Sequence, residues 1–123
     1  MTSIEQSKRL IACGVSPDSA DLYKQIYKEN YIFIADHFAD DEKGVYPIWS
    51  VAALLKLIPK EYTDDNGYDY YFSISQSRFW GDEYVVSYIP CYDDGESAIE
   101  TSDKELVEAI VQFIEKLKTD GCI

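Results

Sequence analysis

The chain has 123 residues, 46% of them hydrophobic and 15% aromatic, enough apolar area for one packed domain and too much for an intrinsically disordered chain. Twenty-three acids stand against eleven Lys and Arg, giving a formal net charge of -12. That field repels nucleic-acid phosphates and anionic lipid, so neither direct nucleic-acid binding nor membrane-surface binding is expected.

Residues 3–13 place Ile4, Lys8/Arg9 and Ile11/Ala12 in helical order, with Gly14 as a C-terminal stop. In VSPDSADLYKQIY, Ser16 is placed to cap a helix, Pro17 suits its first position, and Asp18 and Asp21 favour the positive end of the dipole. These signals predict a second helix over 17–28. YIFIADHF at 31–38 is β-branched and aromatic, and predicts a strand near 31–37. After the charged loop ADDEKG comes VYPIWSVAALLKLIPKEY. Here Ser50 caps a helix near 50–58, which Pro59 ends. Lys56 is its one charged position, so the helix is expected to be buried on every other side.

TDDNG at 63–67 is a turn cluster. YDYYFSISQS then alternates, with Tyr70, Phe72 and Ile74 on one side and Tyr71, Ser73 and Ser75 on the other, the latter side facing water. With Gly81-Asp82 as the corner and EYVVSYIPCY as the return, a hairpin is expected near 69–77/83–90. Pro90 marks a sheet edge or a bulge. DDGES at 93–97 is a further acidic turn. Ser102 and Glu105 match a capping box, and Leu106, Ala109/Ile110, Phe113/Ile114 and Leu117 line one face of a helix near 103–119. Gly121 closes it. The expectation is an α+β fold, helices over one face of a small antiparallel sheet, in a single domain spanning 1–123.

The three cysteines, Cys13, Cys91 and Cys122, are odd in number and widely spaced, which suits neither a disulfide framework nor a zinc knuckle. Residues 1–13 lack the apolar core of a secretory signal, and no run is apolar for long enough to span a bilayer. A cytoplasmic location follows.

Few groupings carry chemistry. The single histidine, His37, sits among Asp36, Asp40, Asp41 and Glu42, but their spacing fits a solvated loop better than a metal site. TDDNGYD imitates a calcium loop, yet Tyr62 and Ser73 occupy the two positions that demand carboxylates. Ser50 lacks a nucleophile-elbow context, Cys13 and His37 have no third orienting group, and the glycines form no phosphate cradle. No cofactor, metal or catalytic residue is therefore assigned. The aromatics are a different matter. Tyr68, Tyr70, Tyr71, Phe72, Phe79, Trp80, Tyr84, Tyr88 and Tyr92 crowd one hairpin. Core packing accounts for most of them, and a protein-binding face is the second reading. Candidate binding residues are Trp80, Tyr71 and Tyr84 with the acids Asp64, Asp65, Asp93 and Asp94.

Three segments, GVSPDSADLY (14–23), PIWSVAALLKLIP (47–59) and ELVEAIVQFIEKLKTDG (105–121), together resemble a group of small uncharacterised proteins of gut Bacteroidetes and their prophages or mobile elements. That group shows G-[IV]-x-P-x-[ST]-A-D-[ML] and P-A-W-S-[LV]-x-x-L-[LI]-x-[LI]-[LI]-P segments. Ile48 stands here where the group has alanine, and Leu22 where it has methionine; both exchanges preserve apolar character. The resemblance implies an α+β single domain of bacterial or phage origin. It implies no activity and carries over no site residue.

The resulting expectation is a non-enzymatic accessory or protein-interaction protein of a prophage or mobile element, with an unknown protein partner and an undetermined oligomeric state. Two alternatives stand beside it. One is an acidic neutraliser, immunity-like or DNA-mimicking, of a basic toxin or nuclease, which requires the acids to gather on one face. The other is a small carboxylate-dependent enzyme, which requires two convergent acids of perturbed pKa in a pocket.

Overall fold

The computed structural model describes residues 1–25, 32–34, 45–77, 81–92 and 95–123. It is an α+β structure with two small antiparallel sheets among the described residues. Contacts group into two compact units, Met1–Leu57 and Ile58–Ile123, taken here in turn.

The first unit opens with α1 (Ile4–Ala12), whose start is fixed by a capping box. Ser3 Oγ accepts from Gln6 N–H, and the Gln6 side chain accepts from Ser3 N–H. Its buried face carries Ser7 and Leu10, whereas Ile11 and Ala12 are exposed. Ser7 and Thr2 share a buried hydroxyl–hydroxyl bond of 2.8 Å. Gly14, at φ 104°, follows the cap residue Cys13 as expected.

The helix expected over 17–28 does not form in its described part, residues 17–25, and 26–28 lie outside the described residues. Ser16 does cap a turn, but that turn is a single 3-10 segment, Pro17–Ser19. Ala20 is already extended, and Leu22–Gln25 is strand β1. Two causes are visible. The Ser19 hydroxyl donates back to the Ser16 carbonyl at 2.7 Å, a local alternative to helical propagation. Leu22–Lys24 then pair on both sides, with β2 (Ile32–Ile34) and with β3 (Val45–Ile48), in sheet order β2-β1-β3. The strand expected near 31–37 thus appears as β2, and the rest of that prediction, with His37 and its neighbouring acids, lies outside the described residues. Strand β3 carries Pro47 opposite Tyr23; β3 is an edge of the sheet, where a missing N–H is tolerated. Helix α1 packs on β3.

Helix α2 (Val51–Lys56) is capped as anticipated, with Ser50 Oγ accepting from Ala53 N–H. It is shorter and less enclosed than expected. Ala53 and Leu54 are buried, but Ala52 is exposed as well as Lys56, so one ridge four residues apart meets solvent. Ser50 is doubly held, since its N–H donates to Asp21 Oδ1 at 2.8 Å and its hydroxyl donates to Asp21 Oδ2. Trp49, fully buried, donates its indole N–H to Ser19 Oγ at 2.9 Å. Its backbone exchanges two bonds with Thr2.

The second unit is a meander of four strands in sequence order, β4 (Glu61–Thr63), β5 (Asp69–Gln76), β6 (Tyr84–Pro90) and β7 (Glu100–Asp103). The β5–β6 hairpin falls where expected, and Gly81 and Asp82 both take positive φ at its corner. Pro90 lies beyond the reach of β7, which pairs only with Tyr84–Ser87, so no ladder bond is lost there. The hairpin and β2 belong to separate sheets rather than to one.

Helix α3 (Leu106–Thr119) packs on β6 and β7 through Ala109, Ile110, Phe113, Ile114 and Leu117, all fully buried. The capping box expected at Ser102–Glu105 is absent. Ser102 and Asp103 are paired with Val85 and Tyr84 in β7, which holds them extended, and Glu105 is the cap residue without a side-chain bond. Asp103 Oδ1 instead accepts from Glu105 N–H at 2.9 Å. The core of this unit is aromatic: Tyr88 stacks on Tyr62 with centroids 5.2 Å apart and meets Phe113 edge-on at 5.2 Å. Phe72 completes the group, 5.7 Å from Phe113.

Candidate aromatic binding cleft

The alternation along β5 sends Tyr70 and Phe72 to the face of the sheet that carries Tyr88, because Tyr70 pairs with Pro90 and Phe72 with Tyr88. At the Tyr70–Pro90 end of this ladder, Tyr68, Tyr70, Pro90, Tyr92 and Gly95 line a cleft of about 280 Å³.

Each wall residue is positioned by an identifiable interaction. The turn entering β5 is organised by Asp64, whose Oδ1 accepts from Asn66 N–H and from Tyr68 N–H, both at 2.9 Å. Gly67, at φ 83°, supplies the left-handed step that the turn needs. The other carboxylate oxygen of Asp64 accepts from the Tyr70 hydroxyl at 3.1 Å. Tyr92 is tied from its tip, since Asp69 N–H donates to its hydroxyl at 3.2 Å. Tyr68 and Tyr92 meet nearly perpendicularly, 79° apart with centroids at 5.5 Å, and both are about half exposed. Gly95 lies against Pro90; a Cβ at position 95 would fall 2.6 Å from Pro90 Cγ.

The electrostatics follow from this arrangement. Loss of solvation, then the bonded and charged Asp64, raise the Tyr70 phenol above its ordinary value, so it stays a neutral donor. Tyr62 is raised as well, by burial first and then by Cys122, Asp65 and Asp64. Tyr88, whose hydroxyl donates to the Pro59 carbonyl at 2.7 Å, is pushed up to about 12, by burial first and then by Cys122 and Tyr62.

The candidate residues of the sequence fall out differently. Asp64 organises the cleft, and Asp65 is exposed in the same turn. Tyr71 is 46% exposed but alternates to the opposite face from Tyr70, and Tyr84 lies at the far end of β6, paired with Gln76. Trp80, Asp93 and Asp94 lie outside the described residues. Tyr68, Tyr70 and Tyr92 belong to the aromatic crowd of the hairpin but not to the candidate binding residues, and neither do Pro90 and Gly95, because only the hairpin register brings the five together.

Among the described residues, no group of three His, Cys, Asp or Glu is arranged to hold a metal ion, and no helix is long and apolar enough to cross a membrane. The fold class is α+β. Compared with protein-family models, with curated proteins and with solved structures, the chain finds no match in any of the three.

Proposed function

We propose that the chain is a non-enzymatic accessory protein of a bacterial prophage or mobile element, acting in the cytoplasm by binding another protein through the Tyr68–Tyr92 cleft. The observation that carries this reading is the treatment of the two half-exposed tyrosines. Tyr92 is held at its hydroxyl by the Asp69 amide, and Tyr68 is held at its backbone by Asp64 and at its ring by the edge-on contact with Tyr92. Rigid aromatic walls lose little entropy on docking and bury large area, which is what interface anchors do. A prophage or mobile-element origin rests on the resemblance of the 14–23, 47–59 and 105–121 segments.

Immobilised full-length protein exposed to extract of its native host tests the reading. The wild type and a Tyr71→Ala control should retain the same protein, and a Tyr68→Ala/Tyr92→Ala variant should lose it. Equal retention by all three proteins overturns the cleft as the docking surface. Retention that ignores the tyrosines and collapses with added salt supports instead the acidic neutraliser, whose affinity is mostly Coulombic.

A further inference from the structure

The hydroxyls and the faces of the cleft tyrosines have different fates. Tyr70 spends its hydroxyl on Asp64, and Tyr92 accepts the Asp69 amide, so what these two present to a ligand is chiefly π-surface. Tyr68 and Tyr92 stand edge to face at 79°, and both line the cleft together with Tyr70. An aromatic face carries negative quadrupole density, and a phenol donating to a carboxylate is enriched further. Asp64 is bonded to two of the wall residues, and its carboxylate retains acceptor capacity beyond the three bonds it makes. The chain carries a formal net charge of -12, so a cation is drawn towards it from a distance. The protein also seats one of its own cations in this way, with Lys8 Nζ 5.2 Å from the centroid of the Tyr46 ring.

We infer that the cleft formed by Tyr68, Tyr70, Tyr92, Pro90 and Gly95 binds an arginine side chain of a basic partner segment, its guanidinium on the tyrosine faces and its methylene stem on Pro90. This rests on the protein-docking reading above and names the chemistry that the partner must present. Arginine fits better than lysine because its planar, weakly hydrated guanidinium stacks on rings. A cleft of about 280 Å³ is large enough to admit one such side chain.

The full-length protein, with tyrosine rings isotopically labelled, is titrated with the peptide acetyl-Gly-Arg-Gly-amide while ring resonances are followed by NMR. Saturable shifts confined to Tyr68, Tyr70 and Tyr92 are expected, with affinity on the order of millimolar for a single side chain. The citrulline counterpart, equal in shape and uncharged, should give none. Tyr92→Leu, which keeps an apolar side chain and removes the ring, should weaken binding roughly two- to fivefold. Asp64→Asn, whose amide oxygen can still accept from the turn, should also weaken it. Equal shifts from arginine and citrulline, or shifts spread over all the tyrosines, overturn the inference. Shifts of the same three rings with a tetraproline peptide but not with the arginine peptide overturn it too, while leaving the protein-docking reading intact. If the captured partner is lost from the Tyr68→Ala/Tyr92→Ala variant yet the arginine peptide shifts none of the three rings at concentrations up to about 20 mM, docking stands and the cation inference falls.

Discussion

Ser50 shows how one hydroxyl can serve two elements. It accepts the Ala53 amide at the head of α2 and donates to Asp21, which lies just before β1. Ser50→Ala removes both bonds and should destabilise the protein by about 1 kcal/mol, within a range of about 0.5–2 kcal/mol, measured by urea denaturation. Burial works to raise the Asp21 carboxyl, but the bonds from Ser50 and the charge of Lys56 outweigh it and hold the group below its ordinary value of 3.8. A folded-state pKa lowered in this way contributes stability above the unfolded value, and the contribution is lost as pH falls through the folded one. Between pH 5 and 2, wild type should therefore lose stability more steeply than Asp21→Asn; parallel profiles would remove Asp21 from the account. Tyr88 has the opposite sign. Its raised pKa contributes stability in full below pH 10, and that contribution disappears as pH rises towards about 12. In an alkaline absorbance titration of the eleven tyrosines, one phenol should ionise late, and Tyr88→Phe should remove that final step.

The elements show which local signals survive assembly. The Ser50 cap and the apolar stripe of α3 were legible because they depend on residues three or four apart. The same logic misled at Ser102–Glu105, where pairing to β6 overrode the box, and after Ser19, where β2 and β3 pair with β1. A working box sits at Ser3–Gln6, beside an apolar order that by itself already marks α1 as a helix. Strands β4 and β7 are three and four residues long and largely polar, so they have no alternation to read until β5 and β6 lie beside them. Two substitutions separate these cases. Ser102→Ala should change stability by less than about 0.5 kcal/mol, since Ser102 is an exposed strand residue and caps nothing. Phe113→Ala, which empties the contact of α3 with Tyr88 and Phe72, should cost about 3–5 kcal/mol. A loss of about 1 kcal/mol on Ser102→Ala would restore the capping box.

For the whole chain, charge is the property the sequence states most directly and geometry the one it hides best. A formal net charge of -12 on 123 residues means that the folded chain confines mutually repelling acids. The melting temperature should therefore rise as sodium chloride increases from about 20 to about 200 mM, over which the Debye length contracts several-fold. A flat response would mean that local pairing already neutralises the repulsion. The α+β class was readable from the order of the patterns, whereas the split of the strands into two sheets was not, because β1 was concealed by helix-start residues. The cleft was hidden for a related reason. Its walls are drawn from a turn, two strands and the chain after β6, and meet only through the Tyr70–Pro90 pairing.

The Tyr88 hydroxyl, sealed on the Pro59 carbonyl, has a further use. A phenol held neutral in the folded chain until about pH 12 is a native optical reporter. When the protein is diluted into denaturant at a pH between 10 and 12, exposed tyrosines change absorbance at once, and Tyr88 follows as the Ile58–Ile123 unit opens. The opening kinetics of that unit can thus be timed in the unmodified protein, without an added dye or a new tryptophan.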